Sequence, residues 1–181
     1  MRDELHPLNE VKKFWWLHDS FWHATLVREY GHEKANALNL EANERFFRML
    51  TLRLLKQGII KKPQSIQELM EIFKTIWATC FFDEMYIHNP ITYYGNTAIW
   101  TSYTCHAFDS LTQAQMTEGY SCGCQAIRNG VMRALRLNRS HSIEESLIEG
   151  HGRCVIKIHF ESTKVVQSKT IIDMQDLPCN R

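Results

Sequence analysis

The sequence contains no apolar run close to the roughly 20 residues that a membrane-spanning helix needs. Its beginning, MRDELHPLNEVKKFWW, also lacks the apolar stretch of a signal peptide. The 21 basic and 20 acidic residues leave a formal net charge of +1, so no global field attracts nucleic acid or an anionic membrane surface. We therefore expect a cytoplasmic protein with neither nucleic acid nor membrane as a partner.

Several well-marked catalytic and cofactor motifs are also missing. No GxGxxG, P-loop, HExxH or GxSxG string occurs, which removes the clearest nucleotide-binding, zincin and serine-hydrolase interpretations. The six cysteines, at positions 80, 105, 122, 124, 154 and 179, contain no CxxC pair of the thioredoxin or zinc-ribbon type. In the cytoplasm they would mostly stay reduced, which favours packing, ligand or catalytic roles.

The length of 181 residues suits one domain, 1–181, and hydrophobic periodicity divides it. Apolar residues recur at helical spacing over about 9–30, 35–58 and 65–77, with Gly31 where a helix would end and SIQE at 65–68 as a capping box. This predicts three helices in a helical part, 1–80. A mixed strand and helix part, 84–160, and a tail, 161–181, follow.

After Cys80 the apolar period changes from 3.6 to 2. We predict strands near 84–94 and 97–107, and two more strands joined by a short glycine turn at 150–152. In the last strand Cys154, Ile156, Ile158 and Phe160 share one face, and by the same period Cys105 shares a face with Ile99, Thr101 and Tyr103. The fold class is therefore α+β, with the three N-terminal helices packed against an antiparallel sheet and a cysteine-led helix.

The stretch GYSCGCQAIRNGVMRALRLN, at 119–138, predicts that helix, with Ser121 as its N-cap and Cys122 in its first turn. Unpaired N–H groups and the helix dipole would lower the pKa of Cys122, which makes it the best nucleophile candidate. Cys124 is rotated by about 200° on an ideal helix, so both cysteines could bind one metal only if the first turn were irregular. A joint metal site, a functional thiol and plain packing all remain open. The basic residues Arg128, Arg133, Arg136 and Arg139 are interpreted as a solvated helix face.

The first helix carries a second candidate, the pair Asp19 and His23, four residues apart on one face. A carboxylate there could orient the imidazole as a general base. The alternative is an exposed ion pair beside a Trp-rich stripe of core residues.

Three short motifs carry a family resemblance: Thr104-Cys105, GYSC ending at Cys122, and SLIEGHGRC with Ser146, Gly150 and Cys154, followed by an alternating strand. Together they resemble the L-2-amino-thiazoline-4-carboxylate hydrolase family, which is itself similar to 4-vinyl reductase-type small-molecule-binding domains. The resemblance implies a pocket between helices and sheet, with Cys105, Cys122, Cys154 and Ser146 at matching positions. Family members often have an acidic residue where this chain has Gln125. The implied reaction is ring-opening hydrolysis of a small cyclic amidine-like compound.

Two functions from different classes follow, with packing as the third reading of the thiols. The first is a hydrolase of non-peptide C–N bonds that acts on a cyclic amidine or thiazoline-type carboxylate. Its catalytic candidates are Cys122, His23 and Asp19, and its pocket candidates are Cys105, Cys154, Ser146, Tyr103 and Gln125. The second is a non-catalytic sensor or binding domain for a small molecule or a divalent or soft metal ion, with Cys105, Cys122, Cys124, Cys154 and His151 as candidate ligands. A homo-oligomer is compatible with either.

Overall fold

The computed structural model describes residues 7–82, 85, 89–138 and 140–161. These residues form helices α1 (Pro7–Lys56), α2 (Ile66–Cys80), α3 (His106–Gln113) and α4 (Cys124–Leu135), and strands β1 (Ile91–Tyr94), β2 (Thr97–Ser102), β3 (His141–Glu145) and β4 (Cys154–His159). The strands make one antiparallel sheet in the order β1-β2-β4-β3. The predicted α+β class is confirmed. Arg139, Cys179 and most of the predicted 84–90 and 161–181 segments lie outside the described residues.

The helical part follows the predicted pattern. Helix α1 is interrupted at Gly31, whose backbone angles (φ 76°, ψ 167°) suit only glycine, so the first two predicted helices follow one another at this break. Helix α2 begins as the capping box requires, because the Ser65 side chain accepts a hydrogen bond from the Glu68 N–H at 3.2 Å. The break gives α1 two segments, and each contributes to a different side of the site described below.

The inward face of the first α1 segment is the opposite of the one expected. Phe14, Trp15 and Trp22 are exposed by 57–67%. Lys12, Trp16, Asp19 and His23 occupy the other face, where the Trp16 Nε1–H donates to the Cys80 carbonyl at 2.9 Å. The interpretation of Asp19 and His23 as an exposed pair beside a Trp-rich core is therefore wrong, because this segment carries apolar residues on both faces and periodicity cannot choose between them.

The sheet confirms one predicted strand face and corrects another. Ile156, Ile158 and Phe160 are buried on the face that also carries Cys154. Strand β2, however, ends at Ser102 and buries Ala98 and Trp100, so Cys105 does not belong to a strand and occupies the N-cap of α3 instead. The turn into α3 overrides the β-branched and aromatic composition that suggested a strand to residue 107.

The link between β3 and β4 is longer than the predicted glycine turn. It runs over residues 146–153 and contains a short 3₁₀ helix, Leu147–Glu149, after which Gly150 adopts a left-handed conformation (φ 87°). Strand β3 also shifts register against β4 between Ile143 and Glu145. This longer loop brings Ser146 and Leu147 into buried positions beside Cys154.

The core lies between α1, α2, α4 and the inner face of the sheet, and it includes Phe47, Phe73, Ile76, Val131, Met132 and Ile158. Helices α1 and α4 approach each other most closely at Gly130. A Cβ atom added there would overlap the Glu44 carbonyl oxygen and lie 2.9 Å from the Arg48 backbone nitrogen. The two backbones are therefore in contact, and only glycine fits at this crossing. Among the described residues, no helix is both long and apolar enough to cross a membrane.

We expect Gly130→Ala to lower the free energy of unfolding by about 1–3 kcal/mol, since the methyl group must push the two helices apart. The measurement is urea unfolding at equilibrium. Gly152→Ala is the matched control, because its Cβ would meet no described atom within 4 Å and its φ is not positive. Equal stability of the two variants would contradict the close contact between α1 and α4.

Candidate functional site

A cavity of about 120 Å³ lies between the first α1 segment, α2, α4 and the sheet. One wall is aromatic and contains Trp16, Trp77, Phe81 and Trp100. The lining also includes the polar or ionisable residues Asp19, Cys105, Cys122, Cys124, Arg128, Ser146 and Cys154. Three cysteines that are far apart in sequence, Cys105, Cys122 and Cys154, therefore line one cavity.

Asn36, on the second segment of α1, holds the loop that carries Cys122. Its Nδ2–H donates to the Gly119 carbonyl at 2.6 Å, and its Oδ1 accepts from the Ser121 N–H at 3.2 Å. Helix α4 begins only at Cys124, with Gly123 in the N-cap position. The prediction of Ser121 as the N-cap is therefore wrong, and Cys122 precedes the helix. The placement of Cys122 thus depends on a buried amide rather than on a helical turn.

The environment of Cys122 favours its thiolate and lowers its pKa to about 6. The largest cause is a hydrogen bond that the Cys124 thiol donates to the Cys122 sulfur; the Cys124 N–H and the charge of Arg128 add to it, and burial opposes it. The same bond raises the pKa of Cys124 well above its usual range. The prediction that Cys122 and Cys124 point in opposite directions is therefore wrong. It assumed that both lie on an ideal helix, whereas Cys122 precedes α4.

Arg128 is not part of a solvated helix face, because its side chain is only 1% exposed. It follows Cys124 by four residues and so lies on the same face of α4, toward the cavity. Its Nε and Nη2 atoms have no hydrogen-bond partner among the described residues, and burial lowers its pKa. Of the other three, Arg133 bonds Glu44 at 2.6 Å and Arg136 is exposed, as a solvated face requires.

The remaining cysteines of the cavity are electrically neutral thiols. Burial raises the pKa of Cys105 to about 11 and also raises that of Cys154. The Cys154 sulfur accepts a hydrogen bond from the Leu147 N–H at 3.3 Å, which fixes it beside Ser146. Cys122 is consequently the best nucleophile in the cavity, and its neighbours act as weak donors and as packing groups.

Asp19 and His23 differ in their access to the cavity. Asp19 lines it, and burial raises the pKa of its carboxyl group, which favours the neutral acid. His23 is buried and is absent from the described lining; its ring packs edge-on against Tyr120, with 5.4 Å between centroids. Burial lowers the pKa of His23. His23, the predicted base, therefore packs against Tyr120 outside the described cavity lining, whereas Asp19 lines the cavity.

Two pocket candidates lie outside the cavity. Tyr103 is 56% exposed and is not among the described lining residues. Gln125 lies in an open groove of about 1080 Å³ between α1, α4 and the Ser146 loop. Cys122, Tyr120 and Ser146 line both the groove and the cavity, so they form the boundary between them.

The five candidate metal ligands are not assembled into a metal site. His151 is exposed and lies against the Ser146 backbone, with 3.1 Å between its Nδ1 and the Ser146 carbonyl oxygen. Within the described part of the chain, no group of three or more His, Cys, Asp or Glu side chains is placed to hold a metal ion. The five described cysteines are all free thiols.

Sequence reasoning missed three residues of this site. Arg128 was assigned to the surface, although its spacing of four residues from Cys124 was a usable signal for a shared helix face. Tyr120 and Trp100 look like ordinary core aromatics in the sequence, and Trp100 acquires its place only through the pairing of β2 with β4. A one-dimensional pattern contains no information about which helix face meets which strand.

No protein-family model matches the chain, and no curated protein matches it significantly. The resemblance to the thiazoline-carboxylate hydrolases therefore stays a prediction. The function has to be argued from the cavity and its charged groups.

The bond between the two neighbouring thiols can be tested by alkylation with iodoacetamide as a function of pH, followed by mass spectrometry of the peptide containing Cys122. We expect a midpoint near 6 in the native protein. Cys124→Ala removes the donor, so the midpoint should rise toward the value of about 8.5 for a free thiol. Cys124→Ser retains a donor and should stay closer to the native midpoint. Identical midpoints in the two variants would contradict this role of Cys124.

Proposed function

We propose that the protein is a cytoplasmic cysteine-dependent hydrolase that acts on a small cyclic amidine or thiazoline-type carboxylate. The observation that carries the proposal is the position of Cys122. This half-buried cysteine with a lowered pKa lies between a wide groove and a smaller cavity, and it shares the cavity with a buried guanidinium. A substrate entering from the groove would meet the thiolate before filling the cavity. Thiolates of this kind are the usual nucleophiles of cysteine hydrolases.

In the proposed reaction the Cys122 sulfur bonds to the amidine carbon, and the electrons of the C=N bond move to the ring nitrogen. That nitrogen takes a proton from Asp19, which enters this step in its acid form. Electrons from the exocyclic amino group then expel the ring nitrogen as an amine, with Asp19 relaying a proton from one nitrogen to the other. The ring C–N bond is broken at this point, and the former ring carbon remains attached to Cys122.

Water completes the cycle by adding to the carbon attached to Cys122, its second proton going to the imine nitrogen. The carbonyl then forms, Cys122 leaves as a thiolate, and the hydroxyl proton returns to Asp19. The sum is one substrate and one water converted to one ring-opened product. Asp19 is the candidate for this role because it lines the cavity and because burial raises the pKa of its carboxyl group, the direction that a general acid requires.

Replacing the nucleophile should abolish turnover. With 2-amino-thiazoline-4-carboxylate as the probe, we expect the wild-type protein to yield a product heavier by one water, detected by mass spectrometry. Cys122→Ala should lose at least about 100-fold in rate, because the covalent step is removed. The control is Cys80→Ala, a cysteine outside the described lining of the cavity, which should keep the wild-type rate. Full activity of Cys122→Ala would refute the proposed mechanism.

The pH dependence gives an independent check. We expect kcat/KM to fall on the acid side with a midpoint near 6, since protonation of Cys122 removes the nucleophile. In Cys124→Ala this midpoint should move to higher pH together with the alkylation midpoint. An acid limb that stays in place while the alkylation midpoint moves would show that another group controls the rate.

A non-catalytic binding or sensor domain is the second candidate, and the small volume and aromatic lining of the cavity favour it. A small volume walled by three tryptophans and a phenylalanine suits tight retention of a ligand. In its soft-metal form this candidate gains no support from the described residues, which offer no metal-binding cluster. Saturable binding of the thiazoline probe without formation of the heavier product would favour the sensor over the hydrolase.

A further inference from the structure

Arg128 presents an unused pair of donors inside the protein. Nε and Nη2 lie along one edge of the guanidinium plane, and both are buried without a hydrogen-bond partner among the described residues. These two N–H groups have the spacing and direction that match the two oxygens of a carboxylate. Buried donors without partners are costly, so a site that keeps two on one edge favours a ligand that accepts from both.

Trp100 adds a third unused donor on another element. Its side chain is 6% exposed, it lines the same cavity from β2, and its Nε1–H has no partner among the described residues. Helix α4 and the sheet thus each contribute a cavity-lining residue whose side chain has an unsatisfied donor. These donors come from two elements that meet only in the tertiary structure, α4 and β2. Such a pair of unsatisfied donors suits a ligand that carries hydrogen-bond acceptors.

The cavity also limits the size of that ligand. Its volume of about 120 Å³ is similar to the ~150 Å³ of an apolar protein cavity known to hold one benzene molecule. Trp77 and Trp100 lie beside each other in its lining, with 5.1 Å between ring centroids and 58° between ring planes, and supply aromatic surface for a ring to pack against. A single small ring fits such a space, and a second ring or a long chain does not.

The charges around Arg128 are compatible with an added anion. The groups whose charge acts on Arg128 are Cys124, Cys122 and Cys154; Asp19, whose pKa is raised by burial, is not one of them. Cys122 is the group most readily ionised there, and Cys105 and Cys154 are neutral thiols. A ligand carboxylate would share the positive charge of Arg128 with the Cys122 sulfur.

We propose that the cavity binds the carboxylate of a single-ring compound through Arg128, which makes Arg128 the residue that selects anionic over neutral ligands. This inference deepens the proposed function, since it takes the cavity as the substrate site, and it names the group by which the substrate is recognised. It concerns binding alone, so it can be tested without turnover.

The test compares pyrrole-2-carboxylate with pyrrole-2-carboxamide, which have the same ring and nearly the same shape but differ in charge. Neither contains an amidine carbon, so neither can be hydrolysed by the proposed route. Binding to the wild-type protein is measured by calorimetry and by tryptophan fluorescence, since three tryptophans line the cavity. We expect the carboxylate to bind about 10- to 100-fold more tightly than the carboxamide, as a two-point bond to a guanidinium implies.

Two variants assign that preference to Arg128. Arg128→Met removes the charge with an apolar side chain, a type of change that buried sites often tolerate, and it should abolish the preference. Arg128→Lys retains the charge but lacks the planar guanidinium with its two parallel N–H donors. It should keep only part of the preference for the carboxylate. Circular dichroism in the near ultraviolet checks that each variant is folded.

A second measurement needs no variant. Bound pyrrole-2-carboxylate should raise the alkylation midpoint of Cys122, because the anion competes for Arg128, whereas the carboxamide should not. Equal affinity for acid and amide in the wild-type protein, binding of neither, or a preference that survives in folded Arg128→Met would each overturn the inference. Selective binding of the acid in a protein that does not turn over the thiazoline probe would leave the inference standing and refute the proposed hydrolase.

Discussion

A guanidinium that is 1% exposed has to be compensated where it lies, because the transfer of an unpaired charge out of water costs several kcal/mol. In this protein the groups whose charge favours the ionised guanidinium are Cys124, Cys122 and Cys154, and in return Arg128 helps to favour the thiolate of Cys122. The pKa of this thiol falls chiefly because the Cys124 thiol favours its ionised form, and the charge of Arg128 adds to the effect. The burial of one cation and the reactivity of one cysteine are therefore two aspects of the same arrangement.

That arrangement depends on how tightly α4 is held. The contact of α4 with the α1 backbone at Gly130 fixes the helix that carries Cys124 and Arg128. The amide of Asn36 fixes the loop that precedes it, through one bond on each side of Tyr120. Both supports come from the second segment of α1. The thiolate and the cation are consequently positioned by the same stretch of helix, while the sheet supplies the opposite wall.

The sequence predicted the features that depend on local chemistry. The Ser65 cap, the break at Gly31 and the inward face of β4 all follow from residue type and period. It failed where tertiary contacts choose between alternatives. An apolar stripe marked α1 as amphipathic but led to the wrong inward face. The spacing of the basic residues predicted a solvated Arg128, whereas its side chain is 1% exposed. Cys105 lies in the cavity as expected, yet from a helix N-cap rather than from the strand.

The break at Gly31 has a consequence for the geometry of the cavity. Asp19 lies on the α1 segment before the break, whereas Asn36, which holds the Cys122 loop, lies on the segment after it. The backbone angles of one glycine therefore set the separation between the carboxyl group and the thiolate, although Gly31 contacts neither. No other residue type adopts these angles without strain. The relative position of the two reactive groups thus depends on the conformation of one residue, Gly31, from which both segments of α1 extend.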